Sequence, residues 1–129
     1  MAIVMKFGGS SVADEARLKN AAGLVAQRVH AGEQVVVVVS AQGDFTDELY
    51  DKAWEICGQP SARELDVLLS AGEQISMALM AMALSRLGVP AVSLTGGQAG
   101  ICTDSCFGQA EITGMAVSPV PTLLEAGHD

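Results

Sequence analysis

Five consecutive valines are the feature that most constrains how this chain can fold. They lie in the segment QVVVVVS, residues 34–40, with no polar residue between Gln34 and Ser40. Valine favours strands, and a strand without polar alternation is typical of a parallel sheet that helices cover on both faces. The run therefore predicts a central strand of an α/β protein, buried on both faces.

The residues before this strand complete a βαβ pattern. The segment AIVMKF, residues 2–7, is dense in strand formers, and Gly32 is a plausible stop for the helix between the two strands. Apolar residues on one helical stripe are Val12, Leu18, Ala22, Val25, Ala26 and Val29. A strand, a helix and a second strand within about 40 residues predict a right-handed βαβ unit.

The rest of the chain alternates in the same way. We predict a helix from Thr46 or Asp47 to Ile56, and a second helix that opens at Ala62 behind the capping box SARE and is bent or interrupted near Gly72. A third strand is predicted in VPAVSLTGG, a short strand at 110–113, and a proline-initiated helix in SPVPTLLEAG. These elements together predict a three-layer αβα fold with a mainly parallel sheet.

Composition excludes several classes of protein. The chain has 129 residues, which predicts one domain, and a net charge of −8 with only seven Lys and Arg. Binding to nucleic acid needs a basic surface, and an anionic membrane would repel this chain. The longest apolar helical run, MALMAMAL, is shorter than the roughly 20 residues of a membrane span.

The three cysteines indicate the compartment. Cys57, Cys102 and Cys106 are odd in number and irregular in spacing, which predicts reduced thiols rather than a disulfide framework. No second ligand pair accompanies Cys102 and Cys106, so we expect no zinc site. The chain is predicted to be soluble and cytoplasmic.

The segment KFGGSS, at the end of the first strand, is the first candidate for binding chemistry. Gly8, Gly9 and Ser10 would let backbone N–H groups approach a phosphate, the next helix would present its positive end, and Lys6 would add a cation. The segment matches neither a Walker A loop nor GxGxxG. A tight turn with an N-cap serine explains the same residues and stays open as an alternative.

Two further segments lie where a parallel sheet would bring them to the same edge. In SAQGDFTDE, Ser40 ends the valine strand, and Thr46 and Asp47 supply oxygens for a phosphate or an ammonium. Glu73 lies in an apolar helical region, where a buried carboxylate would need a partner such as a substrate amine. An ordinary N-cap with solvated acids and an exposed helix-face glutamate are the simpler interpretations. A third loop, 95–100, is expected to converge on the same edge.

Taken in order, four segments resemble aspartate kinases of the amino-acid kinase family. They are KFGGSSVAD, VVVVVSAQGDFTDEL, ELDVLLSAGEQISMALMAMAL and AVSLTGGQAGICTD. The resemblance implies transfer of the ATP γ-phosphoryl group to the side-chain carboxylate of L-aspartate, with Mg²⁺ carried by the nucleotide. It also implies a homo-oligomer, with no nucleic-acid or membrane partner.

The resemblance assigns a role to each matched residue. Lys6 would contact the transferring phosphoryl group and act as the catalytic residue. Phosphate contacts are implied for Lys6, Gly8, Gly9, Ser10 and Ser40. Thr46, Asp47 and Glu73 would bind the aspartate, with Glu73 facing its ammonium. Four residues differ from the usual family pattern, in loops and not at these positions: Gln42, Phe45, Gly97 and Phe107.

The resemblance also predicts that residues 1–129 form only the N-terminal lobe of a catalytic domain. The nucleotide-binding half and the regulatory domains would be absent, so we expect little or no kinase activity from this chain alone. Two alternatives remain open. One is another kinase of the same family, acting on acetylglutamate, glutamate or UMP, and the other is a non-catalytic oligomerisation module.

Overall fold

A two-stranded parallel sheet lies at the centre of the computed structural model, which describes residues 1–128. Its strands are β1 (Ala2–Phe7) and β2 (Gln34–Val39), paired with Ala2 opposite Gln34 and Phe7 opposite Val39. Helix α1 (Glu15–His30) connects them. The predicted strand–helix–strand order is therefore confirmed, and the fold is α/β.

Helix α1 begins and ends where its sequence predicts. The Asp14 carboxylate accepts a hydrogen bond from the Arg17 N–H at 2.8 Å, as an N-cap residue does. Gly32 adopts φ +88°, and its N–H donates to the Val29 carbonyl at 2.9 Å. The buried residues of the helix form one stripe against the sheet: Leu18, Ala21, Ala22, Val25 and Ala26.

Two helices follow the sheet strands. Helix α2 (Phe45–Ile56) begins one residue before the predicted start, and α3 (Ala62–Arg86) begins at the predicted residue. The Ser61 hydroxyl accepts from the Glu64 N–H at 3.4 Å, in agreement with the capping box. The predicted interruption of α3 is wrong: the helix is continuous and Gly72 is buried inside it.

The last third of the chain contains small elements. Strands β3 (Ile101–Thr103) and β4 (Ile112–Met115) pair as an antiparallel hairpin, so the strand predicted at 110–113 lies two residues later than expected. Helix α4 (Val120–Glu125) follows Pro119 and is succeeded by Gly127 at φ +83°, as predicted. Every residue of β3 and β4 is exposed.

The core lies on one face of the sheet only. Val35 is fully buried against α1 and α3, with Val37 and Val39 packed beside it. On the other face Val38 is 44% exposed and Val4 is 69% exposed. The prediction of a strand buried on both faces is thus wrong for much of β2, because α1 and α3 both pack on the same side.

The predicted third strand is not formed. Residues 89–95 belong to neither a helix nor a strand, although the Val89 side chain is buried and its N–H donates to the Leu84 carbonyl at 3.0 Å. The reason is a cavity of about 490 Å³ that lies between this segment and β2 and is lined by both. Without direct contact between the two backbones no ladder can form.

Helix α3 is the longest element and the main packing partner of α1 and α2. By length and composition it is apolar enough to cross a membrane, since an 18-residue window of it has a mean hydropathy of 1.5. The apolar helical stretch is therefore longer than the run MALMAMAL on which the prediction rested. Its buried side chains, Met80 and Leu84 among them, belong to the core beside the sheet. These contacts identify α3 as a core helix.

Candidate functional site

The loops after β1 and β2 are bound to each other. The Gly43 N–H donates to the Gly9 carbonyl at 3.0 Å, and the Gln42 side-chain amide donates to the Val12 carbonyl at 2.9 Å. The Ser40 N–H extends the sheet by donating to the Phe7 carbonyl at 3.3 Å. The predicted convergence of these two loops at the carboxyl ends of the strands is therefore present.

Gly9 is required by this close approach. A Cβ atom at Gly9 would lie 2.8 Å from the Ala41 carbonyl oxygen and 3.3 Å from that of Gly43. A Cβ atom at Gly8 would meet nothing within 4 Å. Of the two glycines in KFGGSS, only Gly9 is required by the packing between the loops, because a side chain at Gly8 would extend into open space.

A short 3₁₀ turn, Gly9–Val12, follows the first strand. The Ser11 N–H donates to the Gly8 carbonyl at 3.0 Å, but within residues 1–128 the N–H groups of Gly8, Gly9 and Ser10 have no acceptor. Three successive unpaired amides can bind an anion. The geometry is consistent with the predicted phosphate cradle.

The expectation that the following helix presents its positive end to this cradle is wrong. The 3₁₀ turn separates the glycines from α1, and the first turn of α1 is already occupied by the Asp14 carboxylate. A carboxylate at a helix N-terminus satisfies the unpaired amides there and offsets the dipole. Anion binding at this loop would depend on the amides of the turn itself.

Lys6 lies on the exposed face of β1, one residue before the end of the strand. It is opposite Val38 in the parallel register, and its side chain is exposed. Among the described residues no carboxylate lies within ion-pair distance of its ammonium. The amine is therefore available to a ligand at the strand tip.

Thr46 and Asp47 lie in the first turn of α2. Thr46 is half-buried, and Asp47 is exposed beside Glu48. Acidic residues in a first helical turn interact favourably with the helix dipole, which gives Asp47 a structural role of its own. The structure brings both residues to the loop that carries Gly43, and it leaves Asp47 the more accessible of the two.

Glu73 is exposed, so the expectation of a buried carboxylate that needs a partner is wrong. The residue before it, Gly72, faces the core, and a Cβ there would lie 2.9 Å from the Cβ of Ala41. This packing holds α3 against the second loop. Glu73 therefore projects from a fixed position, and it is one of the residues that line the 490 Å³ cavity, as are Val39 and Thr95.

The third loop closes on itself. The Thr95 N–H donates to the Gln98 side-chain oxygen at 2.9 Å, and the Gln98 N–H donates to the Thr95 hydroxyl at 3.2 Å. This reciprocal pair fixes the turn after residues 89–95. Thr95 and Gly96 line the same cavity as Glu73, but no residue of 8–12 or 40–47 lines it, so the convergence of this loop with the other two stays a prediction.

Two positions with a clear structural role were not assigned one from the sequence. Gln42 ties the second loop to Val12, and Gly72 allows α3 to approach Ala41. An isolated glycine inside a helical pattern is a signal for close packing, so Gly72 was detectable. Gln42 gave no such signal, because its partner is a backbone carbonyl 30 residues away.

The charges around the loops are mostly negative. The basic side chains there are Lys6 and Arg17, whose guanidinium donates to the Ser10 carbonyl at 3.2 Å, whereas Asp44, Asp47, Glu48 and Glu73 are acidic. In the part of the chain that the structure describes, no group of three His, Cys, Asp or Glu side chains is placed to hold a metal ion.

Comparisons with known proteins agree on one family. A model described as "Amino acid kinase family" matches residues 1–128. An aspartokinase from Mycobacterium tuberculosis is 49% identical over 126 residues, which are 98% of this chain and 30% of the relative. Aspartokinase 2 of Bacillus subtilis is 49% identical over 125 residues, 97% of this chain and 31% of the relative.

A solved structure gives the same result for the fold. The crystal structure of an aspartate kinase from Synechocystis superposes with a TM-score of 0.85 and 41% sequence identity, covering 99% of this chain and 21% of that one. This chain spans about 30% of the length of the curated relatives it matches.

Proposed function

This chain belongs to the amino acid kinase family, and from that premise we propose that it is the N-terminal lobe of an aspartate kinase. The reaction is transfer of the γ-phosphoryl group of ATP to the side-chain carboxylate of L-aspartate, giving 4-phospho-L-aspartate. In bacteria this product leads toward lysine, threonine and methionine. The names of the relatives support the reaction, and the geometry of the loops supports the roles of individual residues.

One observation carries the proposal: the hydrogen bond from the Gly43 N–H to the Gly9 carbonyl, at 3.0 Å. It fixes a phosphate-binding turn against the loop that leads to Thr46. Phosphoryl transfer requires two substrates to be held in line, and positioning supplies most of the catalysis. A contact that joins the two loops is what such positioning needs.

The loop after β1 would bind the phosphates. The unpaired N–H groups of Gly8, Gly9 and Ser10 would hold phosphate oxygens, and Ser40 borders the same loop. Lys6, without an acidic partner, would neutralise charge that develops on the transferring group. We propose that Mg²⁺ enters with the nucleotide and helps to neutralise the phosphates, as the kinase reaction requires.

The other side of the site would bind the amino acid. The exposed carboxylate of Glu73 would pair with the ammonium of aspartate, and Thr46 and Asp47 would contact its polar groups. No general base is needed, because the attacking group is already an ionised carboxylate. The role of this chain in the chemistry is therefore to bind, orient and neutralise.

The proposal extends to the setting of the protein. We place it in the cytoplasm, which agrees with three free cysteines that are all exposed. We also propose that it works as a homo-oligomer and with no nucleic-acid partner, as its charge of −8 favours. The polypeptide of 129 residues is expected to bind substrates more readily than to turn them over.

Titration calorimetry with matched variants tests the assignment. Wild-type protein is expected to bind both Mg-ATP and L-aspartate. Lys6→Met should weaken Mg-ATP binding at least about tenfold, or about 1.4 kcal/mol. Glu73→Gln should weaken aspartate binding alone. Lys19→Met, an exposed lysine on α1, is the control and should change neither. Binding of UMP, glutamate or acetylglutamate in preference to aspartate would replace the proposed substrate.

A further inference from the structure

We propose that Asp66 is a positioning residue for the amino-acid side of the candidate site. Its carboxylate holds the tip of the β3–β4 hairpin against α3, and the base of the hairpin holds the third loop, residues 95–100, which lines the same cavity as Glu73. The inference rests on the proposed function, because it concerns the affinity of that site for L-aspartate. In this role Asp66 contacts the hairpin rather than the substrate.

The contact at the tip of the hairpin is a charge-assisted hydrogen bond. The Gly108 N–H donates to the Asp66 carboxylate at 2.7 Å, across 42 positions of the chain. Hydrogen bonds to ionised acceptors are short and about twice as strong as neutral ones. A Cβ at Gly108 would lie 3.7 Å from the Cβ of Ala62, the first residue of α3, so the tip also packs against the start of that helix.

The tip is tied to the two strands of the hairpin by Asp104. One oxygen of its carboxylate accepts from the Cys106 N–H at 3.0 Å and from the Glu111 N–H at 3.3 Å. Its backbone N–H donates to the Glu111 carbonyl at 3.0 Å. These bonds close the turn between β3 and β4, so a contact made at the tip is passed on to both strands.

The base of the hairpin is joined to the third loop. The Ile101 N–H donates to the Gly96 carbonyl at 2.9 Å, and the Ala116 N–H donates to the Gly100 carbonyl at 2.7 Å. The approach is close, because a Cβ at Gly100 would lie 3.0 Å from the Ala116 carbonyl oxygen. The position of the hairpin therefore sets the position of the third loop.

Asp66 and Glu73 lie on the same face of α3. They are seven positions apart in the sequence, which is close to two helical turns and about 10 Å along the axis. Ser70 lies between them, and Ser70, Glu73 and Ile101 line the same cavity. The three steps from Ile101 to Asp104 cover about 10 Å, since a strand rises about 3.3 Å per residue. The hairpin thus has the length to run along α3 from the cavity to Asp66.

Glu73 needs a neighbouring wall because its carboxylate is exposed. An ion pair between solvated groups contributes little to binding. A loop held beside the carboxylate excludes water and restricts the bound amino acid to one orientation. Release of the hairpin tip should therefore weaken aspartate binding. Mg-ATP binding should not change, because the two glycine loops are joined by bonds of their own.

Titration calorimetry of the 129-residue chain with L-aspartate and with Mg-ATP tests the proposal. Asp66→Ala should weaken aspartate binding about three- to tenfold, as expected for the loss of one hydrogen bond to a charged group, and leave Mg-ATP binding unchanged. Asp66→Asn keeps an oxygen acceptor and should restore most of the affinity. Glu55→Ala removes one negative charge from an exposed position of α2 and should change neither affinity.

Hydrogen exchange supplies a measurement that needs no substrate. The amides of Ala99, Gly100 and Ile101 are hydrogen-bonded within the third loop. Asp66→Ala should speed their exchange at least about threefold, because the loop loses its anchor on α3. The Gly43 amide, bonded between the glycine loops, should exchange at the wild-type rate and serves as the internal control.

The outcomes separate this inference from the proposed function. Failure of the wild-type chain to bind aspartate would count against the proposed function, and exchange at residues 99–101 would then decide whether Asp66 positions the third loop. Equal aspartate affinity of the wild-type and Asp66→Ala chains would overturn the inference. Faster exchange confined to residues 102–112 would overturn it too. An equal loss of affinity in Asp66→Asn would assign the effect to charge and not to the hydrogen bond, with the same consequence.

Discussion

The glycine loops and the β3–β4 hairpin differ in how much of the protein holds them in place. The loops are joined by the Gly43–Gly9 and Gln42–Val12 hydrogen bonds and lie against the buried Gly72. The hairpin is exposed along both strands. Its links to the remainder include one from the Gly108 N–H to the Asp66 carboxylate, at 2.7 Å. The proposed site for two substrates lies on the loops, the more firmly held of the two regions.

The comparison also explains where stability resides. Buried side chains of α1, α3 and β2 form one cluster beneath the glycine loops, whereas α4 has no fully buried residue. Regions with few buried apolar contacts open most readily. We therefore expect the hairpin and α4 to respond to changes locally, and the loops to respond only when the whole fold does.

The largest contrast should come from removing apolar side chains in the two regions. Leu84→Ala is expected to lower the free energy of unfolding by about 2–5 kcal/mol, because Leu84 is 2% exposed and its loss leaves a cavity. Ile112→Ala in the hairpin, at a residue 69% exposed, should change it by less than about 0.5 kcal/mol. Urea denaturation measures both, and comparable losses would contradict the division.

A second contrast compares two glycines inside helices. A Cβ at Gly72 would lie 2.9 Å from that of Ala41, whereas a Cβ at Gly23 would meet nothing within 4 Å. Both changes to alanine gain the same helix propensity, so their difference isolates overpacking, and Gly72→Ala should be less stable than Gly23→Ala by about 1–3 kcal/mol. Thermal unfolding of the pair checks this, and equal melting temperatures would show that Ala41 moves aside freely.

A third contrast concerns the hydrogen bond from the Gln42 side chain to the Val12 carbonyl, which joins the two loops. Gln42→Ala removes the donor to the Val12 carbonyl and should cost about 0.5–1.5 kcal/mol, since that bond is partly buried. Gln74→Ala is the control, because its 3.3 Å contact with the Ser70 hydroxyl is exposed. Chemical denaturation is the measurement. A loss no greater than the control's would mean that the Gly43–Gly9 bond alone joins the loops.

The smallest expected effect lies in the hairpin. Asp66→Ala removes the acceptor of the Gly108 N–H and should speed hydrogen exchange across residues 101–115, with a change in global stability below about 0.5 kcal/mol because the contact is exposed. Asp66→Asn keeps an oxygen acceptor and should retain most of the protection. Faster exchange in the glycine loops as well would show that the two regions are coupled.

The sequence by itself determined the elements whose signals are local. The strands at 2–7 and 34–39, the Asp14 and Ser61 caps and the stop at Gly32 depend on residues a few positions apart, so they could be predicted. The four motif segments likewise gave the family, which the match over residues 1–128 confirms. The roles of Lys6, Thr46 and Glu73 stay predictions.

Tertiary structure decided everything that depends on which surfaces meet. The apolar segment 89–95 has the composition of a strand, but a strand needs a neighbour, and the cavity of about 490 Å³ separates it from β2. Glu73 sits in an apolar helix, yet Gly72 turns toward the core and leaves Glu73 exposed. Local sequence sets the preferred conformation of a segment, whereas burial and pairing are set by distant residues that propensity does not register.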